Sequence, residues 1–120
     1  MYTEVQLATK FVRTFESATR RSHDFTLTFA QYKKIMSRKT CFYTGVAFAK
    51  PVVYTKGDKV PPNAITIDRK DPAIGYVFSN CVASTHLANQ TKNLFEHDPE
   101  KIAIIPSILK KMETIKNETK

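Results

Sequence analysis

The stretch Ile65–Lys92, "ITIDRKDPAIGYVFSNCVASTHLANQTK", decides how the rest of the chain is read. "AITID" alternates, with Ile65 and Ile67 on one face and Thr66 on the other, as a half-buried strand does. "RKDPAIG" carries the proline and glycine of a turn, and "YVFSNCVA" returns to strand composition. Ser84 or Thr85 can then cap a helix running through "HLANQTKNLF". Into this strand–turn–strand–helix unit the chain places Asp68, Arg69, Asn80, His86, Asn89 and Lys92. Asp68 ends the alternation, so its carboxylate belongs at the mouth of the strand. Asn89 lies one helical turn from His86, Lys92 and Asn93. Carboxylate and amide oxygens are hard donors of the kind Mg²⁺ takes, with water and phosphate completing the shell. An ion held in this way polarises a phosphodiester. The plainer alternative has Asp68 pairing with Arg69 or capping the turn before Pro72, His86 as a surface histidine, and Asn89 and Lys92 facing solvent.

Upstream, Thr3 and Gln6 have the spacing of a capping box. Val5, Ala8, Val12 and Phe15 follow at helical intervals, with Leu7, Phe11 and Ala18 widening the stripe, which predicts a helix to about Arg20 that "RRSHD" breaks. Thr28 and Gln31 repeat the capping spacing before Phe29, Tyr32, Ile35 and Met36, a second apolar face ending near Ser37. Both stripes read as core. "TCFYTGVAFA" has the aromatic and β-branched composition of a strand, with Gly45 as its turn residue. "KPVVYTKGDKVPPN" reads as loop or short hairpin. Downstream, Asp98 and Pro99 are an N-cap followed by proline at the first helical position. Ile102, Ile105, Leu109, Met112 and Ile115 keep helical spacing, Pro106 is expected to kink or split that helix, and the final "KNETK" to fray.

A chain of 120 residues, 42% of them hydrophobic, suffices for one domain with one core. No apolar run approaches the ~18 residues that span a bilayer, and "MYTEVQLATK" lacks the pattern of a secretory signal. A cytosolic protein is expected. Its only cysteines, Cys41 and Cys81, are then reduced and at least partly buried, and two thiols alone cannot make a tetrahedral zinc site. Nineteen Lys and Arg against eleven Asp and Glu give a net charge of +8, spread along the chain in pairs at 20–21, 33–34, 38–39 and 110–111. Such a surface suits a polyanion, nucleic acid first among them.

Taken together, "CFYTG", "ITIDRKD…GYVFSNCVAS" and "ANQTK" resemble the HNH (ββα-metal) endonucleases, in particular their small phage-type members. The resemblance covers Cys41 to about Asn93, and "DFTLTFAQYKKIM" is similar to the helix that often precedes the motif. It implies an α+β chain with a ββα-metal core over residues 41–95, a helical extension at 1–40 and another at 96–120. The implied activity is a divalent-metal-dependent DNA endonuclease that hydrolyses or nicks double-stranded DNA, using one Mg²⁺ or Mn²⁺, in the cytoplasm of a phage host. By the resemblance Asp68 and Asn89 are metal ligands, with Asn93 as a further one. Asn80 is the central asparagine that braces the loop, Arg69, Lys70 and Lys92 contact nucleic acid, Gly75 allows a tight turn and Tyr76 packs beneath it.

Two departures from the family pattern matter. Many members have a water-activating histidine where this chain has Arg69, and an arginine, always protonated, is a phosphate clamp rather than a base. The base then falls to His86 first, in the opening turn of its helix and with a suitable titration range. Tyr76, His23, His97 or a metal-bound water remain as alternatives. The zinc-knuckle positions are Cys41, Thr44, Thr85 and Ala88, so no structural zinc is expected. Two other classes stay open: a catalytically inactive nucleic-acid-binding protein of the same fold, and a phage interaction protein that binds a host protein. A homodimer is open in each case.

Overall fold

The computed structural model describes residues 2–118. The order is α1 (Glu4–Arg20), α2 (Phe29–Met36), β1 (Ile65–Arg69), a 3-10 turn (Phe78–Asn80), β2 (Cys81–Thr85), α3 (His86–Asn93) and α4 (Pro99–Glu118). It is a mixed α+β chain with one two-stranded antiparallel sheet. Two compact units divide between Gln90 and Thr91, within α3.

In the first unit, α1 and α2 both begin in capping boxes. The Gln6 N–H donates to Thr3 Oγ1 while Thr3 N–H donates to Gln6 Oε1, and Thr28 and Gln31 repeat the exchange. Ser22, at φ 58°, ends α1 as the His23 N–H turns back to the Ala18 carbonyl. The face of α1 that packs is not centred where the sequence pattern suggests. Val5, Val12 and Phe15 are exposed, while Leu7, Phe11 and Ala18 meet the core. Apolar residues cover two faces of this helix, and periodicity cannot tell which of them the partner elements will cover. Phe11 decides the matter, lying 5.5 Å from Phe25, 5.4 Å from Phe29 and 5.3 Å from Tyr32 between ring centroids. Tyr32, Ile35 and Met36 of α2 then close over Ile65, Tyr76, Cys81 and Ala83.

β1 pairs with β2 in the register Ile65↔Thr85 through Asp68↔Val82 to Arg69↔Cys81. β2 starts later than its composition suggests, because Phe78–Asn80 coil into a 3-10 turn. "TCFYTGVAFA" forms no strand either. Gly45, at φ 72°, lets its N–H reach the Cys41 carbonyl at 2.9 Å, and only a Thr40↔Ala47 bridge remains of the expected pairing. The resulting loop docks on the sheet, the Phe42 N–H donating to the Ala83 carbonyl at 2.9 Å. Thr85 Oγ1 accepts the Ala88 N–H at 3.2 Å, so of the two candidate caps for α3 the threonine serves.

In the second unit, Asp98 Oδ1 accepts the N–H groups of Glu100 and Lys101, which caps α4. Of the kink or split expected at Pro106, no split occurs: the helix runs on to Glu118, beyond the start of the segment expected to fray. Proline removes a single i→i−4 bond, and the helical bonds on either side carry the helix through. Thr119 and Lys120 of that segment lie outside the described residues. Ile102, Leu109, Met112 and Ile115 are all exposed. Among the described residues no helix is long and apolar enough to cross a membrane.

Candidate active site

Asp68, one residue from the end of β1, is only 7% exposed. Its Oδ2 accepts a 2.5 Å hydrogen bond from the Tyr43 hydroxyl, supplied by the loop that packs on β2. Burial costs a carboxylate its hydration, and a charge-bearing acceptor with a phenol donor recovers part of it. In sequence Tyr43 reads as part of the strand-like run "TCFYTGVAFA". No local pattern links it to Asp68, because the contact depends on how the loop closes at Gly45.

Asn80 is 5% exposed and spends its side chain on the turn between the strands. Oδ1 accepts the Asp71 N–H at 3.0 Å, while Nδ2 donates to the carbonyls of Asp71, Ile74 and Gly75 at 3.1–3.2 Å. The backbone adds a bond from Lys70 N–H to the Asn80 carbonyl at 2.7 Å. A buried amide engaged at both its oxygen and its nitrogen fixes the geometry of the chain around it. Here that chain is the run that follows Asp68 and Arg69.

Arg69, half-buried, reaches into this turn. Its Nη1 donates to the Pro72 carbonyl at 2.7 Å and to that of Ile74 at 3.4 Å, and the guanidinium lies 5.3 Å over the Tyr76 ring. The same Nη1 stands 3.4 Å from His23 Nδ1. Because an arginine nitrogen only donates, this contact needs a neutral His23 whose Nδ1 accepts. Partial burial and the positive charges of Arg69 and Arg21 lower the His23 pKa, which favours that form. His23, 46 positions before Arg69 in sequence, is thus the imidazole beside it.

Gly75 and Tyr76 clip the turn to the segment after α1. The Tyr76 N–H donates to the Asp24 carbonyl at 2.7 Å, and a Cβ on Gly75 would meet that oxygen at 2.5 Å. Among the positive-φ glycines are Gly45 and Gly57 but not Gly75. Gly75 is thus required by the close approach of Asp24, not by the tight turn expected of it. Tyr76 is buried, and its hydroxyl accepts from Arg21 Nη2 at 3.0 Å.

His86 opens α3, half-buried, with its N–H donating to the Ala64 carbonyl at 2.8 Å. Asn89 is half-buried on the same helix. Lys92 and the exposed Asn93 fall in the second unit, where the Lys92 ammonium pairs with the Glu96 carboxylate. Lys70 is exposed. His97 Nε2 lies 3.7 Å from Glu96. Among the described residues no group of three or more His, Cys, Asp or Glu is placed to hold a metal. The donors expected from the sequence, one carboxylate with amide oxygens, are nonetheless of the hard-oxygen kind Mg²⁺ accepts when water and phosphate complete its shell.

The buried Cys41 sits in the loop that docks on β2. Cys41 Sγ accepts the Thr85 N–H at 3.3 Å and the Thr85 hydroxyl at 3.7 Å, and when protonated donates to Ser84 Oγ at 3.9 Å. Burial pushes the Cys41 pKa up, but hydrogen bonds from the Thr44 side chain and from the backbone at Thr85, Thr44 and Tyr43 outweigh it and bring it to about 6. Cys81, buried in the sheet, is pushed up to about 11, chiefly by desolvation.

No family model and no solved structure matches the chain. It is similar to an uncharacterized 29.0 kDa protein in the dda-modA intergenic region of Enterobacteria phage T4, 36% identical over 67 residues. Those residues are 56% of this chain and 24% of that protein, so the chain spans about a quarter of its phage relative.

Proposed function

We propose that this chain is a divalent-metal-dependent DNA endonuclease with an HNH-type, ββα-metal core. The reading rests most on Asn80, whose hydrogen bonds to Asp71, Ile74 and Gly75 hold the turn beside Asp68 and Arg69 as the family's central asparagine does. The order hairpin then helix, the buried Asp68 and the net charge of +8 agree with it. Asp68 and Asn89 would hold Mg²⁺ or Mn²⁺; the ion's contribution is to stabilise charge on the phosphodiester and its leaving oxygen. Tyr43 orients the Asp68 carboxylate. Lys70 binds phosphate, and Arg69 holds the turn through the Pro72 carbonyl. His86 and His23 are the two candidates to take a proton from water, His23 because its pKa is lowered and it is set beside Arg69.

Nicking of supercoiled plasmid in Mg²⁺, Mn²⁺ or EDTA tests this. The wild type should nick only with metal and Asp68→Ala should be inactive. Removing the histidine that serves as base should slow cleavage by about 10²–10⁴-fold, while the other substitution leaves it near wild type. A folded wild type that nicks with neither metal would overturn the proposal in favour of a non-catalytic nucleic-acid-binding protein.

A further inference from the structure

Beside the turn, and distinct from Asp68 itself, a cleft of about 430 Å³ opens between the end of α2 and β2, floored by Cys81, Val82 and Ala83. Two phenylalanines line it, and both are exposed, Phe42 at 60% and Phe78 at 40%. Cations surround these rings. Lys34 and Arg38 line the cleft from α2 and its end, the Lys34 ammonium standing 5.9 Å from the Phe78 centroid. The Lys70 ammonium stands 5.9 Å from the Phe42 centroid. At that distance the exposed lysines are loosely held, and an entering π-system can displace them from the ring faces toward its own anionic groups.

The cleft also adjoins the candidate catalytic carboxylate. Phe42 packs edge-on against Tyr43, with centroids 5.2 Å apart and planes at 88°, and Tyr43 donates to Asp68. Accessible aromatic faces alternating with cations are what single-stranded nucleic acid requires, since stacking accepts any base and the cations track the backbone. Duplex DNA offers no base face to such a ring. We propose that this cleft binds an unpaired nucleotide of a single strand, its base stacked on Phe42 and Phe78 and its flanking phosphates on Lys34, Arg38 and Lys70. The proposal rests on the reading that the chain handles nucleic acid, but not on its cleaving it.

Fluorescence anisotropy in EDTA, with a short labelled DNA strand, the same sequence as RNA and the DNA duplex, tests it without turnover. Single strands should bind more tightly than duplex. Phe42→Ala and Phe78→Ala should each weaken single-strand binding about tenfold and leave duplex binding unchanged. Phe42→Leu and Phe78→Leu, which keep apolar bulk and so guard against misfolding, should show the same loss. Lys34→Gln with Arg38→Gln should lower the salt slope for single strands by roughly 1.4. DNA and RNA affected alike means that the base and phosphate suffice; an effect on one alone assigns the cleft to that polymer. Single-strand affinity unchanged in both leucine variants overturns the proposal. Plasmid nicking run in parallel separates the two readings: cleft-dependent binding without nicking removes only the nuclease, and nicking with intact binding in the leucine variants removes only the cleft.

Discussion

Asn80 and Cys41 each carry more of the fold than their size suggests. Asn80→Ala removes an acceptor from the Asp71 N–H and a donor shared by three carbonyls, in a site 5% exposed. Buried polar groups left unsatisfied cost about 1–3 kcal/mol each. Urea unfolding should therefore show a loss of about 2–3 kcal/mol, with water entering the turn to limit it. Cys41 makes stability depend on pH. Its thiol titrates at about 6 in the fold and at its ordinary 9.0 when unfolded, so between these values the unfolded chain holds the extra proton. Stability should accordingly rise with pH from about 6 to 9, level off above, and lose this contribution as pH falls through 6. Thermal melts across that range should show the slope in the wild type and a flatter one in Cys41→Ala. Equal slopes would mean the thiol is not the titrating group.

At the level of elements, what depends on neighbours in sequence was legible. Both capping boxes, the Asp98 cap of α4 and the strand at Ile65 are local patterns of three or four residues, and each forms as read. The contacts that build the candidate site are not local. Tyr43 meets Asp68 across 25 positions and Arg69 meets His23 across 46, separations that leave no periodic trace in one sequence. The Gly45 loop misled for a related reason: aromatic and β-branched residues fit many half-buried surfaces, and the loop uses Phe42 and Tyr43 to reach a cleft and a carboxylate instead of pairing them in a ladder. Gly75 shows the same limit, since its requirement comes from Asp24, a segment before it in the chain. Gly75→Ala should destabilise by about 1–3 kcal/mol as the turn and the Asp24 segment are pushed apart, measurable by chemical denaturation. A change of under half a kcal/mol would show that this approach is soft.

For the whole molecule, charge sets the expectation. With a net charge of +8 distributed along the chain, DNA affinity should fall steeply with salt, and a log–log slope of roughly −4 to −5 would correspond to about five neutralised phosphates. Affinity indifferent to salt would favour a protein partner over nucleic acid. The fold also carries two built-in stopwatches. Cys41 and Cys81 are both buried, at 3% and 6% exposure, and sit on opposite sides of one joint: the first in the loop clasped to Thr85, the second inside the sheet. A thiol-specific dye reaches either only when its surroundings part. Because Cys41 is poised as thiolate near neutrality and Cys81 is not, its modification times the lifting of the clasp, and the slower second event times the opening of the sheet. One labelling trace would thus resolve whether this small molecule loosens in stages or all at once.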